Sequence, residues 1–274
     1  MRSYFFKLIV SVFLFFYFDT AISQNNTNKI GDLRILFEKL SFASDDSVRD
    51  SLNDKIIRET ESYISGNEIE NMKAIKNLSV LISDDGYFEI ITWPILYSDN
   101  IYRFFGFIKY YDKDFGRYNV EALADKSEEI ANPEHQILTP DNWFGAFYYK
   151  LIQKKYKKDK VYVLLGWDGN NDLTNKKIID VFYLDENNEP AFGKNIFESE
   201  NGQVNRIIFE YKEGISMSLL YDDKRDKIIW DHLSPSRPEL KGHYEYYGPD
   251  LTFDALYFDK GKWKYIPDYN ITQK

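Results

Sequence analysis

The chain has no cysteine among its 274 residues, and it has three histidines. The absence of cysteine excludes disulfide bonds, thiol nucleophiles and cysteine-ligated metals. The sequence also contains no H-x-x-x-H or H-E-x-x-H spacing, no G-x-S-x-G and no glycine-rich phosphate loop. It therefore predicts no cofactor and no catalytic residue. A Ser-His-Asp triad stays open, because its members need not be adjacent in sequence.

Positive charge is also in short supply, since 35 lysines and arginines stand against 44 aspartates and glutamates, for a formal net charge of −9. Such an acidic chain cannot neutralise phosphates in bulk, which argues against nucleic acid or anionic lipid as a partner. One basic cluster occurs at 154–158, and a solvated turn between two strands is the favoured interpretation of it. The predicted partner is instead an unidentified ligand of the cell envelope or the extracellular space.

The most hydrophobic stretch of the chain lies at its N-terminus. A short positively charged segment precedes the apolar run Leu8–Phe18, and small residues follow at Ala21 and Ser23. This pattern predicts a cleavable secretory signal peptide over residues 1–23. A membrane-spanning helix needs about 20 apolar residues, and Asp19 ends the run too early for one. We therefore expect a protein that is exported to the periplasm or the extracellular space, with no membrane insertion after cleavage.

The segment 24–76 carries the pattern of two amphipathic helices. Apolar residues recur at helical spacing within Leu33–Leu40 and again within Val48–Tyr63. Between these stretches, Asp45 and its neighbours supply oxygens that can cap a helix N-terminus. Short isolated helices are marginal in water, so we expect both helices to pack on the rest of the protein.

The region 77–274 has the signals of a single β-rich domain. The chain contains 22 Tyr, 21 Phe and 5 Trp, and such residues favour the pleated, half-buried surface of a sheet. Turn sequences such as Asp85-Gly86 separate the strand patterns. The predicted fold class is mainly β (α+β), with about a dozen short strands in an antiparallel meander that forms a barrel, a sandwich or a propeller-like sheet. Residues 112–142 are predicted to be a long connection, and Gly242–Tyr247 a strand.

Aromatic side chains are candidates for a binding surface as well as for the core, because a rigid ring offers a large contact area at low entropic cost. The strand end Asp231-His232 adds a carboxylate and an imidazole to these binding candidates. Adjacent strand residues point to opposite faces, so Asp231 and His232 are expected not to pair, and a structural corner is favoured over a catalytic dyad. The aromatic candidates are Trp143, Tyr148, Trp167 and Trp230.

One loop resembles the start of a calcium-binding loop. Asp168, Asn170 and Asp172 place oxygen ligands at alternate positions. The rest of that motif fails, because Leu173 stands where the sharp turn needs glycine and Ile179 where a bidentate acid is needed. An ordinary turn between strands uses the same residue types. The turn is therefore the favoured interpretation, with calcium as the alternative.

Six segments of the β-rich region carry a family resemblance, namely Ser83–Trp93, Leu164–Asn171, Ile208–Tyr211, Met217–Asp222, Asp231–Pro235 and Tyr247–Asp250. In these segments, which extend over residues 78–266, the chain resembles a group of exported proteins from Bacteroidota. The resemblance implies export. The group has no assigned activity, so the resemblance implies no catalytic residue.

These observations favour a non-enzymatic exported protein that binds or scaffolds a ligand at the cell envelope. One alternative is an exported hydrolase that uses carboxylates, with or without calcium. Two close carboxylates in a deep cleft, or Asp231 and His232 converging on a serine, would favour that alternative. A further alternative is a carrier of a hydrophobic ligand, which requires a closed sheet with an apolar interior.

Overall fold

The computed structural model of the protein describes residues 29–66, 69–200 and 202–272. The predicted signal peptide, residues 1–23, lies outside the described residues. Within them, no helix has both the length and the apolar character that a membrane span requires. Contacts divide the chain into two compact units, with the boundary between Asn77 and Leu78.

The first unit contains the two predicted helices. Helix α1 occupies residues 29–42 and helix α2 occupies Asp46–Ile64, and a 3-10 helix follows at Glu70–Ala74. The carboxylate of Asp45 accepts hydrogen bonds from two backbone N–H groups in the first turn of α2, at 2.9 and 3.2 Å. The cap predicted at Asp45 is therefore confirmed. The buried apolar side chains of the two helices are Leu33, Phe37, Ile56, Tyr63 and Ile64.

Short strands joined by tight turns account for most of the second unit. Their bounds are β1 Ser79–Ile82, β2 Phe88–Leu96, β3 Tyr102–Asp112, β4 Arg117–Ala124, β5 Phe147–Tyr156, β6 Asp159–Asp168, β7 Thr174–Leu184, β8 Pro190–Phe192, β9 Phe197–Ser199, β10 Gly202–Val204, β11 Ile207–Lys212, β12 Leu219–Asp222, β13 Lys227–Pro235, β14 Tyr247–Asp259 and β15 Lys262–Ile266. Short 3-10 helices lie between strands at Pro133–His135, Pro140–Asn142, Pro238–Leu240 and Tyr244–Tyr246.

In the described residues these strands form three sheets. The first has the order β1-β2-β3-β4, and the second has the order β11-β7-β6-β5 with β8 paired to β7. The third has the order β10-β9-β15-β14-β13-β12. Consecutive strands pair antiparallel within each sheet, whereas β15 and β9 make a short parallel contact. Most pairings are therefore between strands that are neighbours in sequence, as a meander requires.

The second sheet is covered on both faces. Val161, Val163 and Leu165 on β6 pack with the third sheet, whereas Tyr162 and Leu164 pack with the first. The alternation arises because successive side chains of a strand point to opposite faces. We call the core shared with the first sheet the first core, and the core shared with the third sheet the second core. A strand that is buried on both faces has a nearly continuous apolar sequence, as β6 does.

The predicted fold class is confirmed, because the protein is mostly β with antiparallel sheets and two helices. Of the three predicted arrangements, the sandwich fits. Two local predictions are wrong. β4 lies within residues 112–142, which were predicted to be a connection. Its sequence lacks a clear strand pattern because it is an edge strand whose side chains are largely exposed or half-buried. Tyr244–Tyr246 is a 3-10 helix rather than a strand, since Tyr246 N–H donates to the carbonyl of His243 at 3.0 Å.

Candidate functional site

Trp143 and Tyr148 lie inside the first core rather than at a surface. Neither side chain is exposed, and Trp143 Nε1 donates a hydrogen bond to the Tyr148 hydroxyl at 3.1 Å. That hydroxyl donates to the carboxylate of Asp180 at 3.4 Å, and Asp180 pairs with Arg206 at 3.1 Å. Burial raises the pKa of Tyr148 well above its ordinary value, so the hydroxyl stays a donor. These two aromatic residues therefore anchor a buried polar network, out of reach of a ligand in this structure.

Trp167 and Trp230 have surroundings different from those of this pair. Trp167 is half-buried and packs edge-on against Tyr102, with ring centroids 5.1 Å apart. Trp230 belongs to the second core. The structure does not bring the aromatic candidates together in one pocket. Trp230 does line a cleft that also contains His232.

Of the candidate metal ligands, Asp168 and Asn170 both face Lys176, whereas Asp172 contacts a different residue. Asp168 Oδ1 accepts a hydrogen bond from the Asn170 backbone N–H at 2.6 Å, as in a turn stabilised by an aspartate. Asn170 Oδ1 accepts from Lys176 Nζ at 2.7 Å, and the same ammonium lies 3.8 Å from Asp168 Oδ2. Asp172 accepts from Asn100 Nδ2 at 3.4 Å. Lys176 thus supplies the positive charge that the calcium hypothesis assigned to a metal.

Asp168 also lines a cleft of about 410 Å³, which we call the Asp168 cleft. The side chain is 4% exposed, and burial raises its pKa to about 6 although the ammonium of Lys176 acts in the opposite direction. A carboxyl that titrates near neutral pH in a cleft is a candidate for acid–base chemistry. The neighbouring Asp125 is already engaged, since its carboxylate accepts from the backbone N–H groups of Phe104 at 2.9 Å and Ser127 at 3.0 Å.

A second cleft, of about 330 Å³, contains His232 and is called the His232 cleft. Its lining comes from β9, β10, β11, β13, β14 and β15 and from the 3-10 helices Pro133–His135 and Tyr244–Tyr246. His232 lies where the pairing of β13 and β14 shifts register, between Asp231 and Leu233. Such an irregularity redirects a side chain relative to the regular alternation of the strand, which is how an imidazole reaches this cleft.

Asp231 and His232 face different partners, as predicted. Asp231 Oδ2 accepts a hydrogen bond from the Ser218 backbone N–H at 2.7 Å. His232 Nδ1 lies 2.7 Å from Oδ2 of Asp254, a residue that is 3% exposed and stands opposite Trp230 in the β13–β14 register. The imidazole is therefore oriented by a buried carboxylate on the neighbouring strand, and Nε2 is the ring nitrogen left for a ligand.

Tyr265 lies between two of the carboxylates in the cleft, those of Glu200 and Asp254. Its hydroxyl lies 3.0 Å from Glu200 Oε1, where it donates, and it also contacts the carboxylate of Asp254. Burial raises the pKa of Tyr265, and the charges of Asp254 and Glu200 raise it further, so the hydroxyl stays protonated. Asp254 Oδ1 accepts in addition from the Asp268 backbone N–H at 3.1 Å. The carboxylate of Asp254 is thus fixed from several directions.

The protonation of His232 reflects these contacts. Partial burial disfavours the charged imidazolium, but the hydrogen bond to Asp254 and the negative charge of that residue outweigh it. The pKa of His232 is therefore raised above its ordinary value of 6.5. A histidine with a raised pKa is partly charged near neutral pH and can donate from either ring nitrogen.

An aromatic wall borders the histidine. Phe209 and Trp230 have ring centroids 5.2 Å apart, and Trp230 and Tyr265 are stacked at 6.0 Å with planes 21° apart. Trp230 is buried, whereas Phe209 and Tyr265 are half-buried. The wall therefore combines a fixed indole with two rings that are partly open to the cleft.

Carboxylates dominate the charge of the His232 cleft. Burial raises the pKa of Glu134, and Glu134 Oε1 accepts from the Ile208 backbone N–H at 3.2 Å. Glu198 pairs with Lys264 at 3.1 Å. Histidines 135 and 232 face a larger set of acids, which comprises Glu134, Glu198, Glu200 and Asp254.

Among the residues that the structure describes, Glu200, His232 and Asp254 form a group that could hold a metal ion, since one ligand atom of each lies within 4.8 Å of the others. All three residues already make hydrogen bonds. His232 Nδ1 is bonded to Asp254, and Glu200 accepts from Tyr265. A metal ion at this position would compete with those bonds wherever it used the same ligand atoms. The group is distinct from the loop around Asp168 that the sequence suggested.

Sequence reasoning found Trp230 and His232 but missed Asp254, Glu200 and Tyr265. A signal for Asp254 was present, because it is the lone acid within the aromatic and apolar stretch Leu251–Phe258. An acid in such a strand is buried unless the register turns it to solvent, and a buried acid needs a partner. Glu200 and Tyr265 had no comparable signal, since only the tertiary structure brings them to the imidazole.

Comparison with known proteins attaches no family to this site. No protein-family model, no curated protein and no solved structure matches the chain. The clefts themselves and the N-terminal sequence are therefore the basis on which a function can be argued.

Proposed function

We propose that the protein is an exported, non-enzymatic binding module and that the His232 cleft holds its ligand. The observation that carries the proposal is the aromatic wall beside carboxylates held by hydrogen bonds. Phe209 and Tyr265 offer ring surface, and Glu200 and Asp254 offer negative charge. A cation is attracted both by an aromatic face and by a carboxylate. The cleft therefore suits a ligand with a flat apolar body and a cationic head.

Rigidity of the polar groups supports a binding role. Asp254 is held by His232, Tyr265 and the backbone of Asp268 before any ligand arrives. Polar groups that are already oriented lose little freedom when a ligand binds, which preserves affinity. The acids of the cleft outnumber its histidines, so the field inside it favours a positive charge.

Benzamidine and benzamide test the proposal, because they share a flat ring and differ in the charge of the head group. We expect benzamidine to bind at least tenfold more tightly than benzamide in isothermal titration calorimetry. Glu200→Gln removes a carboxylate from the cleft, and Phe209→Ala removes part of the wall; each is expected to weaken benzamidine at least fivefold.

The control for charge is Glu239→Gln, which neutralises an exposed acid outside the cleft. It should leave the affinity for benzamidine unchanged. Equal affinities for the charged and the neutral probe, or equal effects of Glu200→Gln and Glu239→Gln, would contradict the proposal.

Hydrolysis is the second candidate function, and the specific observation in its favour is the pairing of His232 with Asp254. A buried aspartate that orients an imidazole is the arrangement in which histidine acts as a general base. The test is hydrolysis of p-nitrophenyl esters and glycosides by the purified protein. Turnover that His232→Gln abolishes, with the thermal unfolding midpoint of the variant preserved, would replace the binding proposal.

A hydrophobic-ligand carrier has less in its favour, because the clefts around His232 and Asp168 are both lined by several charged side chains.

Export is the remaining part of the proposal and is supported by residues 1–23 together with the resemblance to exported proteins of Bacteroidota. N-terminal sequencing of protein secreted by a host that expresses the full chain tests it. We expect the mature chain to begin close to Gln24, and retention of an intact N-terminus in the cytoplasm would contradict export.

A further inference from the structure

We propose a second ligand site, specific for an acidic saccharide, in a cleft whose charge is opposite to that of the His232 cleft. The cleft has a volume of about 220 Å³ and is called the Tyr87–Lys160 cleft. Lysines 113, 158, 160 and 194 line it together with a single acid, Asp185. In a chain with a formal net charge of −9, such a concentration of ammonium groups creates a local positive field that favours anions.

The position of the cleft follows from the topology. It lies where several turns come together at one end of the first two sheets: β1–β2, β3–β4, β5–β6 and β7–β8. Lys158 belongs to the basic cluster 154–158 that the sequence presented as a solvated turn. The fold places this turn beside lysines from distant parts of the chain, Lys113 and Lys194. The fold therefore brings Lys158 close to positive charges that are distant from it in the sequence.

Aromatic rings form the floor of the cleft. Tyr110, Tyr162 and Phe182 are buried, and Phe182 is stacked on Phe88 with centroids 3.9 Å apart. Because this floor belongs to the first core, it is rigid. The rigid floor fixes the shape of the cleft, and a sugar can stack with its C–H face on the more exposed ring of Tyr87 at the rim.

Tyr87 adds an exposed ring at the rim. It is 38% exposed and is stacked on Tyr111 with centroids 5.2 Å apart and planes 20° apart. The ammonium of Lys160 lies 4.6 Å from the centroid of this ring, and that of Lys113 lies 5.7 Å from it. The rim thus places cationic groups beside a partly exposed aromatic ring.

The lysines differ in what they already contact. Lys160 Nζ lies 2.6 Å from Asp85 Oδ2 and is therefore partly neutralised. Lys194 lies over the ring of Tyr183 at 4.6 Å, and Lys113 lies over Tyr87. An ammonium that rests on a ring keeps its full charge and has three N–H donors. Lys113 and Lys194 are therefore the groups best suited to hold a carboxylate or a sulfate.

The remaining polar groups and the size of the cleft point to a sugar rather than to a bare anion. Asn188 lines the cleft, and its Nδ2 donates a hydrogen bond to Asp112 Oδ1 at 2.7 Å, so its amide oxygen is the atom suited to accept from a sugar hydroxyl. The volume is below the range of about 300–1,000 Å³ that holds drug-sized molecules. It therefore fits one sugar residue of a longer chain, with its acid group between the lysines and its ring on Tyr87.

Calorimetry with tri-galacturonate, with neutral maltotriose and with a single-stranded DNA trinucleotide tests this site. We expect tri-galacturonate to bind at least tenfold more tightly than maltotriose, with an affinity that falls as sodium chloride is raised. The double variant Lys113→Gln/Lys194→Gln and the single variant Tyr87→Ala should each weaken tri-galacturonate at least tenfold. Tyr87→Ala should leave the salt dependence in place, because it removes stacking and not charge.

The double variant Lys224→Gln/Lys241→Gln is the matched control, since it removes two exposed lysines that lie outside the cleft. It should leave the affinity for tri-galacturonate within twofold of the unmodified protein. Equal losses in the two double variants, or tight binding of maltotriose, would overturn the proposal. Tighter binding of the trinucleotide than of tri-galacturonate would also overturn it, in favour of a nucleic-acid site. Benzamidine binding in the His232 cleft is a separate readout, so either site can fail alone.

Discussion

Asp254 is the residue on which the chemistry of the His232 cleft depends. Its carboxylate is nearly inaccessible to solvent, at 3% exposure, and its neighbours along β14 are aromatic or apolar. A buried charge is costly unless it is paired and hydrogen-bonded. Here His232, Tyr265 and the Asp268 backbone provide those contacts. The buried carboxylate needs the imidazole as a hydrogen-bond partner, and the imidazole owes its orientation and its raised pKa to the carboxylate.

Asp254→Asn should lower the pKa of His232 towards its ordinary value of 6.5, because the amide removes the negative charge while the opposing effect of burial persists. The measurement is an NMR titration of the His232 imidazole resonances. The stability that the raised pKa contributes is fully present below the unfolded-state pKa near 6.5 and is lost as the pH rises through the folded-state pKa. Asp254→Asn should remove that pH dependence. An unchanged His232 pKa in this variant would show that Asp254 does not control the imidazole.

Asp168 contributes to pH-dependent stability in the same direction, over a more acidic window. Its folded-state pKa of about 6 is higher than the ordinary 3.8, so the folded protein binds more protons than the unfolded chain between these values. The unfolding free energy of the native protein therefore falls as the pH rises through this window.

Asp168→Asn lacks this proton uptake. Its unfolding free energy relative to the native protein should increase, by up to about 3 kcal/mol, as the pH is raised from about 4 to 7. Urea denaturation at a series of pH values measures the difference. Asp172→Asn is the control, because Asp172 belongs to the same loop but its side chain is exposed. A constant difference across the pH range would mean that Asp168 is ionised throughout.

At the scale of elements, the hairpins were predictable because their determinants are local. Asp85-Gly86 and Asp259-Lys260-Gly261 do join antiparallel strands, and Gly86 and Gly261 have φ values of 69° and 86° that favour glycine. Apolar runs within β6 and β7 also indicate strands, although they do not show that these strands are covered on both faces. A continuous apolar run is compatible with a buried strand or with a buried helix segment, and flanking turns decide between them.

The elements that escaped prediction depend on distant partners. β8, β9 and β10 have three residues each, too few for any periodicity, and β9 is held against β15 from far along the chain. The residues of the candidate site also divide into those with a local sequence signal and those that depend on distant partners. Trp230 and His232 stood out in one local segment, whereas Glu200 and Tyr265 reach them through strand pairing. Trp143 and Tyr148 were chosen for their ring chemistry, and only the sheet packing reveals that they are enclosed.

Arg206 joins the irregular segment between β4 and β5 to the second sheet through hydrogen bonds. Its side chain is fully buried, Nε pairs with Asp180 on β7, and Nη1 donates to the carbonyls of Pro133 and Gln136 in the segment between β4 and β5. One side chain thereby satisfies backbone groups that no strand pairs.

Arg206→Met should destabilise the protein by about 3–5 kcal/mol, because it leaves the Asp180 carboxylate buried without its partner. Chemical denaturation measures the loss. The double variant Arg206→Met/Asp180→Asn should recover part of it, since the uncompensated charge is then absent. A double variant that is less stable than Arg206→Met would show that the carbonyl contacts, rather than the ion pair, account for the cost.

At the scale of the whole molecule, the two cores of the second unit share one sheet. Leu164 and Leu165 are consecutive residues of β6 and are both fully buried, one in the first core and one in the second. Neither core can lose its packing while β6 keeps its place in the other. We therefore expect the second unit to unfold in one cooperative transition.

Leu164→Ala and Leu165→Ala should each cost about 2–5 kcal/mol, the range for a leucine truncated inside a core. Both variants should shift the same transition, followed in urea by tryptophan fluorescence and by far-UV circular dichroism. Separate transitions, with each variant affecting only one of them, would contradict the shared role of the second sheet.

The alternation along β6 also limits how the length of this strand can change. Inserting or deleting one residue would send every later side chain of β6 to the opposite core, so the rings and branched chains shaped for one core would meet the other. The turns that border the Tyr87–Lys160 cleft carry no such restriction, because they lie outside the paired register. Homologous chains should therefore keep the length of β6 while their turns vary in length and charge, and ligand preference can diverge at one end of a sandwich whose interior stays fixed.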